Sequence, residues 1–269
     1  MITLMESIQS AAQRINLAVR DIVLKHINSS FRGLIVQGSA IKGGVIPGSS
    51  DIDYVLYVDD TGLNEFGTIA AETCINLHKA LSDIDVYPFR YIQFSVISSK
   101  TNKFLPPIPG SYLLLAGQLL ELEATNDQIF HDAVASLDIL KPEVAFNPHQ
   151  LLDHGEDRIE RCARLMCTVV WPVVFQFLTV IHRDGIRIWN LKKHEAVSLL
   201  ANEPGVGSMA ESFLRSVESY YPQEQSPEKA LRLIEDGFAI LNSVKSIWMV
   251  HRTRLLSRDN LINEKHILY

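Results

Sequence analysis

Apolar residues recur at helical spacing near the start of the chain. Ile8, Ala12, Ile15, Val19, Ile22, Val23 and Ile27 share one stripe, which predicts an amphipathic helix over residues 4–28. The period then changes. Leu34, Ile35 and Val36 form a short apolar run, and residues 52–58, IDYVLYV, are β-branched and aromatic, so two strands are expected. Gly38, Gly43, Gly44, Pro47 and Gly48 make the connection a turn-rich loop. Residues 63–82 predict a helix. Residues 90–97, RYIQFSVI, alternate, with Ile92, Phe94 and Val96 on one face and Tyr91, Gln93 and Ser95 on the other, as in a half-buried strand. Residues 104–110, FLPPIPG, predict a loop, residues 112–123 a helix, and residues 137–140 a short strand before Pro142.

Past about residue 147 the strand signals stop. Residues 149–183, 192–202, 207–221 and 227–256 predict helices, broken at Gly185, at Pro204 and Gly205, and at Pro222. The expected class is therefore α+β, a small mixed β-sheet flanked by helices, followed by an all-α bundle. The expected domains are 1–145 and 146–269, with the bundle closing a cleft on the first. The run 165–181, LMCTVVWPVVFQFLTVI, is 17 residues long and contains Pro172 and Gln176. It falls short of the roughly 20 residues a membrane span needs, so a buried helix is expected.

Composition adds limits rather than identity. An apolar share of 47% suits a folded domain, and a net charge of −6 argues against binding nucleic acid through a broad basic surface. Cys74, Cys162 and Cys167 are too few and too scattered for a disulfide framework. With no signal-peptide pattern at the N-terminus, the expectation is a cytoplasmic protein with reduced thiols and no membrane partner.

The chemistry concentrates at Asp51 and Asp53. At i and i+2 on an expected strand they point to one face, where two carboxylates repel unless a cation lies between them. Hard oxygen ligands of this kind suit Mg²⁺, which keeps water and substrate phosphates in its remaining positions. Upstream, Gly38 lets the backbone approach an anion closely, and Ser39 offers a hydroxyl and an N–H. The loop is neither a Walker loop nor a GxGxxG fingerprint.

Gly38 and Ser39, the ten residues 40–49, then Ser50, Asp51, Ile52 and Asp53 resemble the signature of the nucleotidyltransferase superfamily with the polymerase-β-like fold. The two-part plan is similar to the aminoglycoside adenylyltransferases, in which a helical domain follows the nucleotidyltransferase domain. Lys192, Lys193, His194, Glu195 and Ala196 resemble that family's Lys-Arg-Glu-Ala-like helix start, and a solvated basic helix start reads them equally well. The resemblance implies transfer of a nucleoside monophosphate, AMP from ATP, to a hydroxyl of a small acceptor, with an aminoglycoside-like acceptor suggested by architecture. It assigns Gly38, Ser39, Lys42, Ser50, Lys192 and Lys193 to the nucleotide, and Asp51 and Asp53 to Mg²⁺.

The family's third carboxylate lies on the next strand. Here the matching position is Gln93, which cannot accept a proton at neutral pH. Asp85 could serve instead, or the acceptor needs no strong base, or the protein binds nucleotide for a regulatory or antitoxin-like role without turnover. Several other residues carry weaker signals. His149, His154, His182 and His194 lack zinc spacing. Arg158, Arg161 and Arg164 alternate with Glu156, Asp157 and Glu160 as on a salt-bridged helix surface. Trp171 reads as core, and Trp189 is the tryptophan placed to stack on a base or acceptor.

Overall fold

The computed structural model describes residues 7–98, 106–120, 122–155, 157–221 and 225–263. Residues 4–6 of the first expected helix, Phe104 and Leu105 of the expected loop, Glu156 and Pro222 lie outside the described residues. By its internal contacts the chain divides into two units, 1–124 and 125–269. The first begins with α1 (Ile8–Ile27), β1 (Phe31–Gln37) and the short α2 (Ser39–Lys42). It continues with β2 (Ile52–Val58), α3 (Ala71–Leu81), β3 (Ile92–Ile97) and β4 (Tyr112–Gly117).

The strands form one mixed sheet in the order β3-β2-β1-β4. β1 is antiparallel to β2 and to β4, and β2 is parallel to β3. Alternation along the strands sends Leu34, Val36, Ile52, Tyr54, Leu56 and Val58 to one face, where they form a single core with Ile15, Val19 and Val23 of α1 and Leu77 of α3. Each fully buried aliphatic side chain there contributes about 1.5–3 kcal/mol. A buried polar pair in this layer is satisfied internally: Tyr54 Oη donates to Asn16 Oδ1 at 2.7 Å, and burial pushes the Tyr54 hydroxyl pKa well up, keeping it a neutral donor.

Two sequence expectations fail in this unit. Residues 112–117 are a strand, not the start of a helix. A leucine-rich run suits either element, and the edge of β1 decides, because pairing there satisfies backbone groups of both strands. The close approach needs two glycines: a Cβ on Gly33 would strike the Gln118 carbonyl, and one on Gly117 (φ +72°) the Arg32 carbonyl. The helix expected over 63–82 begins only at Ala71. Ahead of it Asn64 Oδ1 accepts from the N–H of Phe66 and of Thr68, at 3.0 and 3.1 Å, and holds a turn in place of the helix.

The second unit, described by itself, is helical. It comprises α4 (Asn126–Ile139), α5 (Pro142–Ala145), α6 (Arg158–His182), α7 (Gly185–Trp189), α8 (Lys193–Leu200), α9 (Gly207–Tyr220) and α10 (Pro227–Asn263). The strand expected at 137–140 is instead the last turn of α4. Ile129, Ala133 and Leu137 are buried at a spacing of four, and the Thr125 hydroxyl caps the helix by accepting from Gln128 N–H at 3.2 Å. α4 packs on α6, so the contact boundary falls at Ala124 and Thr125, ahead of the 145 expected from composition.

α6 is 25 residues, longer than its apolar run, and is long and apolar enough by composition to cross a membrane. In this structure 61% of its most apolar window is buried, and it packs against α4, α7, α8 and α10. A Cβ at Gly237 of α10 would collide with Met166, so the glycine sets how closely the two long helices approach.

Candidate functional site

On the sheet face opposite α1 and α3, strand register aligns polar residues in a row. Gln37 of β1 pairs with Asp53 of β2, which pairs with Gln93 of β3; on the other side Gln37 pairs with Tyr112 of β4. Residues in register point the same way, so Asp53 and Gln93 are side-by-side neighbours. Deeper along this face Ile35, Val55, Tyr57 and Ile97 form a second apolar cluster. Asp51, two residues before Asp53 and just ahead of β2, is half-buried, as is Asp53, and the Asp51 Oδ1 atom is buried.

The loop after β1 turns back over this row. Gly38 has φ +74°, and its N–H donates to Ser111 O at 3.0 Å. The Gly38 carbonyl accepts from Ile41 and Lys42 N–H at 3.0 and 3.1 Å, which closes the single turn of α2. A Cβ built on Gly38 would lie 3.4 Å from Asp53 Oδ2. A side chain there would come into van der Waals contact with the carboxylate, in a backbone conformation that residues other than glycine adopt only under strain.

The loop's return is firmly held. Gly48 N–H donates to Pro88 O at 2.9 Å, Arg90 N–H to Ser50 O at 2.9 Å, and Ile52 N–H to Tyr91 O at 3.1 Å. Ser50 is buried, and its Oγ accepts from Ile46 N–H at 3.0 Å. The geometry thus gives Ser50 a part in the frame of the loop, whereas Ser39 and Lys42 sit half-exposed on α2.

Gln93 is exposed, and its Oε1 accepts from Tyr91 Oη at 2.9 Å. Asp85 lies in the segment before β3, outside the row, where its Oδ1 accepts from Tyr87 N–H at 3.0 Å. The donor set suits Mg²⁺ in kind: Asp53 in the row and Asp51 two residues before it, both half-buried, with Gly38 beside the Asp53 carboxylate. Among the described residues no group of three or more His, Cys, Asp and Glu gathers to hold a metal. A metal here would rely on water and ligand oxygens for its other positions, which Mg²⁺ tolerates.

The remaining expectations concern the second unit. Lys192 and Lys193 do begin a helix, α8. The Lys192 N–H donates to Glu195 Oε2 at 2.8 Å, half of a capping box, and Lys193 Nζ stands 5.6 Å from the Trp171 ring centroid. Trp171 is buried against Phe213, as a core residue, while Trp189 stacks on Phe175 with ring centroids 5.4 Å apart. Arg158 pairs loosely with Asp153 at 4.0 Å. Sequence reasoning missed Gln37 and Tyr112 as members of the row. Counting alternate residues from Asp53 across a paired β1 would have found Gln37. Tyr112 was out of reach while β4 was read as helix.

No family model and no curated protein sequence matches the chain. Among solved structures it is similar to spectinomycin adenyltransferase AAD(9) from Enterococcus faecialis, a structure with ATP and spectinomycin. Identity is 14% and the TM-score 0.56, over 87% of this chain and 99% of that one. It also matches CdnC from E. coli MS115-1, a structure with ATP, at 13% identity over 85% of this chain and 89% of that one; the TM-score of 0.28 is too loose to define a shared fold. With its mixed four-stranded sheet and helical second unit, the chain has the nucleotidyltransferase-type fold of spectinomycin adenyltransferase.

Proposed function

We propose that the protein is a Mg²⁺-dependent nucleotidyltransferase that moves a nucleoside monophosphate, AMP from ATP, to an oxygen of a small-molecule acceptor and releases pyrophosphate. A hydroxyl, as on an aminoglycoside-like compound, is the acceptor suggested by the resemblance. The observation that carries the reading is the placement of Gly38 against Asp53, with the missing side chain 3.4 Å from Oδ2. A loop that can approach phosphate faces a carboxylate that can face a metal.

In this reading Gly38 and the Ser39 hydroxyl and N–H bind the triphosphate, and Lys42 adds positive charge nearby. Asp51 and Asp53 hold Mg²⁺, which when bound offsets charge on the phosphate oxygens and on the leaving pyrophosphate. The rigid attachment of residues 46–52 to the start of β3 keeps the two carboxylates in place, so little reorganisation is required when nucleotide enters. The apolar cluster of Ile35, Val55, Tyr57 and Ile97 lies along the same face and keeps water from that side of the row.

The test is incubation with α-labelled ATP and Mg²⁺ across a panel of small acceptors. Label should move to an acceptor while pyrophosphate appears, and EDTA should stop both. A second reading, a nucleotide-binding regulatory protein without turnover, is favoured by the exposed amide of Gln93 beside Asp53. It predicts Mg²⁺-dependent ATP binding with no release of pyrophosphate. Absence of ATP binding even at millimolar nucleotide would sink both.

A further inference from the structure

The row Gln93, Asp53, Gln37 and Tyr112 contains one carboxylate, and the function proposed above commits it to the metal. Asp51 is committed in the same way. Glu123, which accepts from the Tyr112 hydroxyl at 2.8 Å, stands at the β4 end of the row, whereas Gln93 stands at the β3 end. Asp85 stands outside β3 with its carboxylate turned to the Tyr87 N–H. The neighbour of Asp53 in register is an amide whose oxygen already accepts from the Tyr91 hydroxyl. With one lone pair of that oxygen taken, the part of Gln93 left fully open to a ligand is its NH₂, two hydrogen-bond donors with no charge and no capacity to take a proton. A donor at this position fits a ligand atom that is electron-rich and carries no hydrogen. It cannot take the proton that a neutral alcohol has to lose during attack.

Resting on that nucleotidyl-transfer reading, we infer that the acceptor attacks through an oxygen that is already an oxyanion, a phosphomonoester or a carboxylate, and that Gln93 binds and orients it. The step balances without a base. A lone pair of the oxyanion forms the new bond to the α-phosphorus as the bond between that phosphorus and the bridging oxygen breaks. The electron pair leaves with pyrophosphate, and no proton changes hands. A phosphomonoester yields a phosphoanhydride and a carboxylate yields an acyl adenylate.

An uncharged amide also removes one negative charge from the row relative to a carboxylate at the same position. That lowers the repulsion an anionic acceptor meets beside Asp53. The Tyr91 hydroxyl acts as a positioning group, because it fixes which end of the amide faces out.

The experiment uses the full-length protein with Mg²⁺ and α-labelled ATP, and compares phosphomonoesters, carboxylates and the matching neutral alcohols. The oxyanion acceptors should be labelled at least about 10²-fold faster than the alcohols, since general-base assistance is worth that much or more where a proton must be removed. Their rate should be flat between about pH 7 and 9, above the ionisation of a phosphomonoester near 6. Which of the two acceptor classes is labelled separates the phosphate from the carboxylate source.

Gln93→Glu should lower the rate with oxyanions about 10-fold or more and raise it with alcohols. Calorimetric titration in the presence of a non-hydrolysable ATP analogue should show the same variant binding oxyanion acceptors more weakly, with ATP affinity retained. Gln93 is exposed, so its fold should survive, and circular dichroism checks that. Faster labelling of alcohols than of oxyanions in the wild-type protein would overturn the inference while leaving nucleotidyl transfer intact. So would Gln93→Glu binding oxyanion acceptors as tightly as wild type. No transfer to any acceptor would instead bring down the transfer reading itself.

Discussion

The two faces of the four-stranded sheet are made by the same strands and obey opposite rules. On the helix-covered face, Leu34, Val36, Ile52, Tyr54, Leu56 and Val58 pack into one core with α1 and α3. On the other, Gln37, Asp53 and Gln93 line up in register and keep partial access to solvent. The first face is specified by burial, where volume and apolarity suffice. The second is specified by chemistry, where one atom type decides between a base and a donor. A period of two lets seven residues of β2 serve both, and a one-residue slip in register would exchange them.

The largest break between the faces is expected at Asp53. If the proposed reaction holds, Asp53→Asn should cut nucleotidyl transfer by about 10³-fold or more, because a carboxylate facing the metal would contribute several kcal/mol to transition-state charge balance. Thermal unfolding of the same variant should change little, since the side chain is only half-buried. An unaffected transfer rate would mean the metal lies elsewhere.

The opposite pattern belongs to the core face. Leu34→Ala should cost about 2–5 kcal/mol in urea denaturation, and the variant should still bind Mg·ATP wherever it remains folded. Tyr54→Phe should cost about 1–3 kcal/mol, because it strands the buried Asn16 amide oxygen.

Gly38→Ala sharpens the comparison at its boundary. A methyl group 3.4 Å from Asp53 Oδ2, on a backbone at φ +74°, should weaken ATP binding about 10-fold and cost about 1 kcal/mol of stability. Equilibrium titration and melting measure the two effects separately. If stability falls and affinity does not, the space beside Asp53 is not where phosphate binds.

The smallest effect lies at the end of β2, away from both faces. Asp59 accepts from the Thr61 hydroxyl and N–H and pairs with Arg32, and these contacts hold its carboxyl below the usual carboxylate range. A folded-state pKa below the unfolded one stabilises the protein at neutral pH, and that stabilisation is lost as pH falls through the folded value. Asp59→Asn should therefore flatten the acid side of the stability profile slightly and leave the neutral side otherwise shaped as before. Solvent screening keeps the change modest.

Legibility followed the strength of the local signal. β1, β2 and β3 were readable because β-branched and aromatic runs between glycines and turns have few other uses. α1 was readable from its stripe. β4 was not, because Tyr112, Leu113, Leu114 and Leu115 have helix-compatible propensity, and pairing with the edge of β1 makes them a strand. The end of α4 was misread for the converse reason: Leu137 to Leu140 looked like a short apolar strand until α6 supplied a face for the helix to bury.

The sequence by itself determined the alternating pattern of β2, the glycine-rich turn before it, and the spacing of Asp51 and Asp53 two residues apart. All three are consequences of covalent order and a strand period of two. Tertiary structure alone decided that Gly38 lies against Asp53, that Gln93 is the neighbour of Asp53 in register, and that the Tyr91 hydroxyl holds the Gln93 amide oxygen. These are contacts between separate segments. Their identity depends on which strands pair and in what register, and hydrogen bonding across the sheet settles that only once the core face is buried.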